Sequence, residues 1–174
     1  PTSDISVLEV ASRQSKALVA RPGSEGNPIW SPDGQWILFS TSAGDTVSNF
    51  YKNGQIAKVP SGGGTPVRLA ADFDEQLGNL VWNPEGIWFG ALQKTKRGLF
   101  RLDPATGRVT RFPGLPDLLF GIDFTPDGRM AAVSSATAST LPEISRVSTT
   151  QPGPALPVTS MSQQIAGWNV GTSD

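Results

Sequence analysis

Trp30-Ser31-Pro32-Asp33-Gly34 recurs as Trp82-Asn83-Pro84-Glu85-Gly86, and again as Phe124-Thr125-Pro126-Asp127-Gly128. The prolines of the three copies are 52 and then 42 residues apart. Each copy follows the same physical logic. An aromatic residue ends a strand. Proline presets φ at the first central position of a turn, the acidic residue tolerates the second, and glycine supplies the freedom to leave it. A second strand follows at once, over residues 35–40, 87–92 and 129–134. The first two carry apolar groups on both faces: Trp36 and Leu38 on one side, Ile37 and Phe39 on the other. That pattern suits a strand buried between neighbouring sheets.

A third strand repeats as Ile56-Ala57-Lys58-Val59, Leu99-Phe100-Arg101-Leu102 and Ile144-Ser145-Arg146-Val147, with an earlier copy at Val7-Leu8-Glu9-Val10. Turn residues follow, as in Ser61-Gly62-Gly63-Gly64 and Asp103-Pro104-Ala105-Thr106-Gly107. A weaker fourth strand is expected over 66–69, 108–112 and 155–159, with an early copy over 16–20. Pro66 and Pro157 suit an outer edge, where a missing N–H costs little.

The repeating unit is therefore four antiparallel strands at a spacing of about 40–45 residues, stretched once by the polar insertion 42–49. The predicted class is all-β, a β-propeller segment of about three complete blades with partial blades at both ends. The expected limits are 1–22 for the end of a blade, then blades over 23–72, 73–115 and 116–161. Residues 162–174 begin a next blade or lead out to a following domain, with Ile165-Ala166-Gly167-Trp168 as a candidate first strand. An immunoglobulin-like sandwich also has many short strands, but it leaves the recurring turn unexplained. Propellers have about 4–8 blades, so the rest of the ring is expected from elsewhere in the same chain or from another chain. The opening Pro-Thr-Ser-Asp reads as an internal start.

Composition narrows the chemistry. The 174 residues include 19 glycines and 15 prolines, no cysteine and no histidine. Cysteine nucleophiles, disulfides and zinc–thiolate sites are excluded, as is a Ser-His-Asp triad within the chain. There is no Gly-x-Ser-x-Gly elbow. Net charge is −1, which offers no field for nucleic acid. No apolar run approaches the ~20 residues of a membrane-spanning helix. A soluble protein follows, in a periplasmic, extracellular or cytoplasmic compartment. No cofactor, metal or catalytic residue is assigned.

Several groups invite a functional reading. Asp33, Glu85 and Asp127 are acidic at equivalent positions, and each is expected to cap its own turn through a local hydrogen bond. Asp72, Asp74 and Glu75 lack the ligand spacing of a calcium loop and read as a solvated loop. Lys94, Lys96 and Arg97 read as a basic hairpin tip. Gly62-Gly63-Gly64-Thr65 lacks the lysine of a phosphate-binding loop. Trp30, Trp36, Trp82 and Trp88 form equivalent pairs and are expected in the core; Trp168 is not placed.

The Trp-Ser-Pro-Asp-Gly turn and the following Trp36-Ile37-Leu38-Phe39 resemble TolB-like, WD-type propeller repeats. The same repeats form the propeller of prolyl oligopeptidase-family serine peptidases, and Leu99 to Gly107 is similar to their third-to-fourth-strand connection. Leu141-Pro142-Glu143-Ile144 with Val158-Thr159-Ser160 resembles the last blade and exit of acylaminoacyl-peptidase-like members. That resemblance implies a non-catalytic segment that restricts or positions peptide substrates for a separate α/β-hydrolase domain. The alternative it leaves is a TolB-like propeller acting as a protein-binding scaffold.

Overall fold

The computed structural model describes residues 2–47 and 52–170. Part of the 42–49 insertion and the last residues of the 162–174 stretch lie outside them. Contacts divide the chain into two compact units. One runs to Leu77 and includes Asp103–Arg108; the other comprises Gly78–Leu102 and the chain from Val109 onward.

The first unit opens with the two-stranded pair β1 (Ile5–Glu9) and β2 (Gln14–Val19), then a four-stranded antiparallel sheet. Its strands, in sheet order, are β3 (Glu25–Trp30), β4 (Trp36–Thr41), β5 (Gln55–Pro60) and β6 (Val67–Leu69). Ile37, Phe39, Ala57 and Val59 pack against Ile5 and Val19 of the preceding pair. Leu38, on the opposite face of β4, is also fully buried. This strand is covered on both sides, as its unbroken apolar run requires.

The second unit holds two further meanders. One is β7 (Leu77–Asn83), β8 (Gly86–Gln93), β9 (Lys96–Leu102) and β10 (Val109–Arg111). The other is β11 (Leu118–Phe124), β12 (Met130–Ala136), β13 (Glu143–Ser148) and β14 (Leu156–Pro157). Trp88, Leu99 and Phe112 of the former pack against Leu119, Ala131, Val133 and Val147 of the latter. Burying each such large side chain contributes about 1.5–3 kcal/mol. The fold is an all-β segment of four-stranded propeller blades.

Four features depart from the sequence expectations. The two meanders of the second unit are stitched by one parallel pair, Leu118 with Arg97. Beside it the Arg97 N–H donates to the Asp117 carbonyl at 2.7 Å. The fourth strands of the three complete meanders are shorter than expected, two or three residues each, whereas β2 has six. Pro66 precedes β6 and Pro157 ends β14, and each of the three short strands has one partner strand to define it. Residues 165–168 are not a strand: the 3-10 helix Met161–Ile165 ends at Ile165, turns follow it, and Trp168 is 71% exposed. The Glu143 carboxylate takes the N–H groups of Met161 and Ser162, which turns the chain instead of extending it. Lastly, Trp30 is 52% exposed, while Trp36 and Trp82 are half-buried and only Trp88 of the four is fully in the core. Trp30 ends a first strand, which has a single neighbour; Trp88 lies in a second strand with neighbours on both sides.

First strands also carry a kink that the repeat reading did not register. Asn27 and Asn79, each three residues before its tryptophan, have φ of 50° and 52°. Asparagine tolerates this left-handed geometry better than most residues. At Asn27 it accompanies a register shift between Gly26 and Ile29.

Candidate functional site

The turn carboxylates have unequal roles. At the first turn the Ser31 hydroxyl donates to Asp33 Oδ1 at 2.5 Å and accepts the Trp36 N–H at 2.9 Å. Asp33 Oδ1 also accepts the Gln35 N–H at 3.0 Å. At the third turn Thr125 donates to Asp127 Oδ1 at 2.6 Å, and Asp127 accepts the Arg129 N–H at 3.1 Å. The hydroxyl in each case, then the backbone N–H, holds the aspartate below its usual pKa. Gly34 and Gly128 leave these turns at φ of 68° and 73°.

The middle turn is built differently. Asn83 stands where serine or threonine stands in the others, and its Oδ1 accepts the Glu85 N–H at 3.0 Å. Asn83 thus caps its turn from an earlier position, through a different N–H than the aspartates take in the other two. Gly86 leaves at φ 134°. Pro32, Pro84 and Pro126 are exposed at the tips. Phe124 packs on the second unit's core beside Trp88, ring centroids 5.3 Å apart.

Lys96, Asp74 and Gly62 find local partners. Lys96 pairs with Asp117 at 2.8 Å, and Arg111 approaches the same carboxylate at 3.7 Å. Asp74 accepts from the Asn53 side-chain amide, and Asp72 and Asp74 line a shallow cavity of about 540 Å³. Among the described residues no group of three acidic, histidine or cysteine side chains is placed to hold a metal. The Gly62 carbonyl accepts from Lys16 Nζ. Trp36 lies under the Lys58 ammonium, 4.3 Å from the ring centroid, and Lys58 donates to the Pro104 carbonyl at 2.7 Å.

A concave surface of about 690 Å³ lies in the second unit beside β12, β13 and β14. Leu115, Pro116, Ala136 and Pro157 make its apolar wall, and Ser135 and Glu143 lie in it. Ser135 Oγ is buried without a partner. Glu143 is fully engaged: Thr159 Oγ1 donates to Oε2 at 2.5 Å, Met161 N–H to Oε2 at 2.9 Å and Ser162 N–H to Oε1 at 2.6 Å. The Thr159 hydroxyl first, then the Ser162 amide, lowers its pKa to about 2. A carboxylate so committed is an anchor for the chain, not a general base. The sequence paired the stretches around Glu143 and Thr159 only through a family resemblance; the contacts themselves span 16 to 19 residues and leave no local signal.

No protein-family model matches the chain, and no curated protein does. Solved structures do. TolB from Acinetobacter baumannii matches at a TM-score of 0.61 and 18% identity, over 91% of this chain and 39% of that one. A prolyl endopeptidase matches at 0.63 and 12%, over 90% and 26%. An oligogalacturonate lyase in complex with manganese matches at 0.62 and 13%, over 84% and 39%. The chain therefore spans well under half the length of each. Proteins of such different function share this fold, so the likeness carries fold alone. The chain is a β-propeller segment, similar in fold to part of TolB and to part of a prolyl endopeptidase.

Proposed function

We propose that this segment is a non-catalytic part of a serine peptidase of the prolyl oligopeptidase type, one that restricts or positions peptide substrates for a separate α/β-hydrolase domain. The mechanism is steric: rigid stacked blades wall off an active site, short peptides pass, and folded chains do not. The reading is supported by the fold likeness to a prolyl endopeptidase and by the C-terminal resemblance at residues 141–144 and 158–160; the need for a further blade is supported by the contrast between the two faces of the β11–β14 meander. One face is packed on Trp88, Leu99 and Phe112. On the other, Ile144 and Leu156 are 39% and 49% exposed. Strand register puts both on that face beside Arg146. A blade with an apolar outer face calls for another blade against it. The limits 23–72, 73–115 and 116–161 for successive blades belong to the same proposal. The absence of histidine from the chain leaves the chemistry to another domain. Similarity to TolB supports a second reading, a protein-binding scaffold.

Reading the coding sequence beyond Asp174 separates the two. A Gly-x-Ser-x-Gly elbow followed by an aspartate and a histidine supports the peptidase. A stop codon, or further blades alone, removes it in favour of the scaffold.

A further inference from the structure

Glu25, Thr41 and Gln55 lie directly opposite one another on β3, β4 and β5. Residues paired in this way share a face of the sheet. Glu25 is 2% exposed. Its Oε1 accepts from Arg21 Nε at 2.9 Å, and Arg21 Nη2 donates to Thr41 Oγ1 at 3.0 Å. Thr41 Oγ1 also accepts the Ala43 N–H at 2.8 Å. Two acceptors are left over: Glu25 Oε2 and Gln55 Oε1 are buried with no partner. Both residues line one cavity of about 490 Å³ at this end of the sheet. The nearby Asp45 carboxylate, on the same cavity, is held by Lys52.

The missing group must donate, because a buried acceptor without a donor destabilises the fold. An anion therefore does not fit. A hard divalent cation needs six or more oxygens, and here the one open carboxylate already carries the Arg21 guanidinium. An amide or hydroxyl brings an acceptor of its own, and among the described residues no unpartnered buried donor lines this cavity to meet it. A primary ammonium has three donors and no acceptor. Ala43 and Gly54 on the cavity's rim are exposed, leaving a way out for an attached alkyl chain.

We propose that this cavity is a binding site for a primary alkylammonium group, seated on Glu25 Oε2 and Gln55 Oε1. A lysine side chain and a free alkylamine share that chemistry. The site stands independently of the peptidase reading.

The test is an NMR titration of the 174-residue protein with butylammonium and, separately, with Nα-acetyl-lysine N-methylamide. Butylammonium is expected to give saturable shifts of the Gln55 side-chain amide and of the Thr41 and Ala43 backbone amides. Tetramethylammonium, with the same charge and no N–H, is expected to give none. Gln55→Leu should weaken binding about tenfold, the loss of one charge-assisted hydrogen bond. Glu25→Gln should weaken it further, and if that variant fails to fold, Gln55→Leu still decides. Equal binding of the lysine derivative assigns a protein side chain as the ligand; butylammonium binding alone assigns a small amine. The proposal is overturned if neither probe gives a saturable shift, which leaves an ordered water as the occupant. Equal shifts with tetramethylammonium, or unchanged affinity in Gln55→Leu, overturn it as well.

Discussion

Asn83 Oδ1 accepts the indole N–H of the buried Trp88 at 3.2 Å, and the same oxygen takes the Glu85 N–H at 3.0 Å. One side chain therefore ties the second turn to the core of its unit. Asn83→Ala leaves a buried indole N–H unpaired and should cost about 1–3 kcal/mol. Glu85→Ala should change stability by no more than about 0.5 kcal/mol. Urea unfolding of the two variants checks the contrast; equal effects would mean that Asn83 has no such role.

Gly128 and Gly34 occupy equivalent turn positions but differ in surroundings. A methyl group at Gly34 would meet nothing within 4 Å, whereas at Gly128 it would lie 2.7 Å from Asn83 Cγ. Alanine at either site pays about 1–2 kcal/mol for left-handed backbone. Gly128→Ala should lose about 1–3 kcal/mol more through the clash. Adding Asn83→Ala to Gly128→Ala should recover part of that excess, giving a non-additive double-mutant cycle. An additive cycle would place the two residues out of contact.

The tryptophans offer a test of core position. Trp88 is 1% exposed and stacks edge-on to Phe112, centroids 5.6 Å apart. Trp88→Ala should cost about 3–5 kcal/mol. Trp30→Ala, at a site 52% exposed, should cost less than about 1 kcal/mol. Thermal unfolding of both variants distinguishes this order from equal burial of the pair.

Glu143 makes stability depend on pH. Its folded pKa is depressed to about 2 by the Thr159 hydroxyl and the Ser162 and Met161 amides. A depressed carboxylate contributes stability that is present above its ordinary, unfolded pKa and is lost as pH falls through the folded value. The wild-type protein should thus lose stability relative to Glu143→Gln between the ordinary glutamate range and about pH 2. Equilibrium unfolding of both proteins across that range measures it; parallel curves would show that Glu143 is not held by those donors in solution.

The blade pattern was legible because it rests on short-range chemistry. Pro-Asp-Gly turns, the two-sided run Trp36-Ile37-Leu38-Phe39 and the third-strand repeats each act within a few residues. What escaped the sequence depends on pairing across strands. Nothing local marks Glu25 and Gln55 as neighbours of one residue, Thr41; only the register of β3, β4 and β5 shows it. The exposure of Trp30 follows from its edge strand, which repeat position alone does not reveal. The 3-10 helix that precedes the strand expected at 165–168 is held at its start by Glu143, a residue on a different strand. Asn27 and Asn79 are the exception, since a shared asparagine three residues before each tryptophan was visible in the sequence and marks the kink.

The proposed steric gate is tested most directly in a protein that carries this segment together with a hydrolase domain. The measurement is the ratio of kcat/KM for a short peptide to that for the same sequence embedded in a folded protein, with the segment present and with it deleted. A gate predicts a high ratio when the segment is present and a fall when it is removed, because the folded substrate gains access. A ratio unchanged by the deletion would contradict gating.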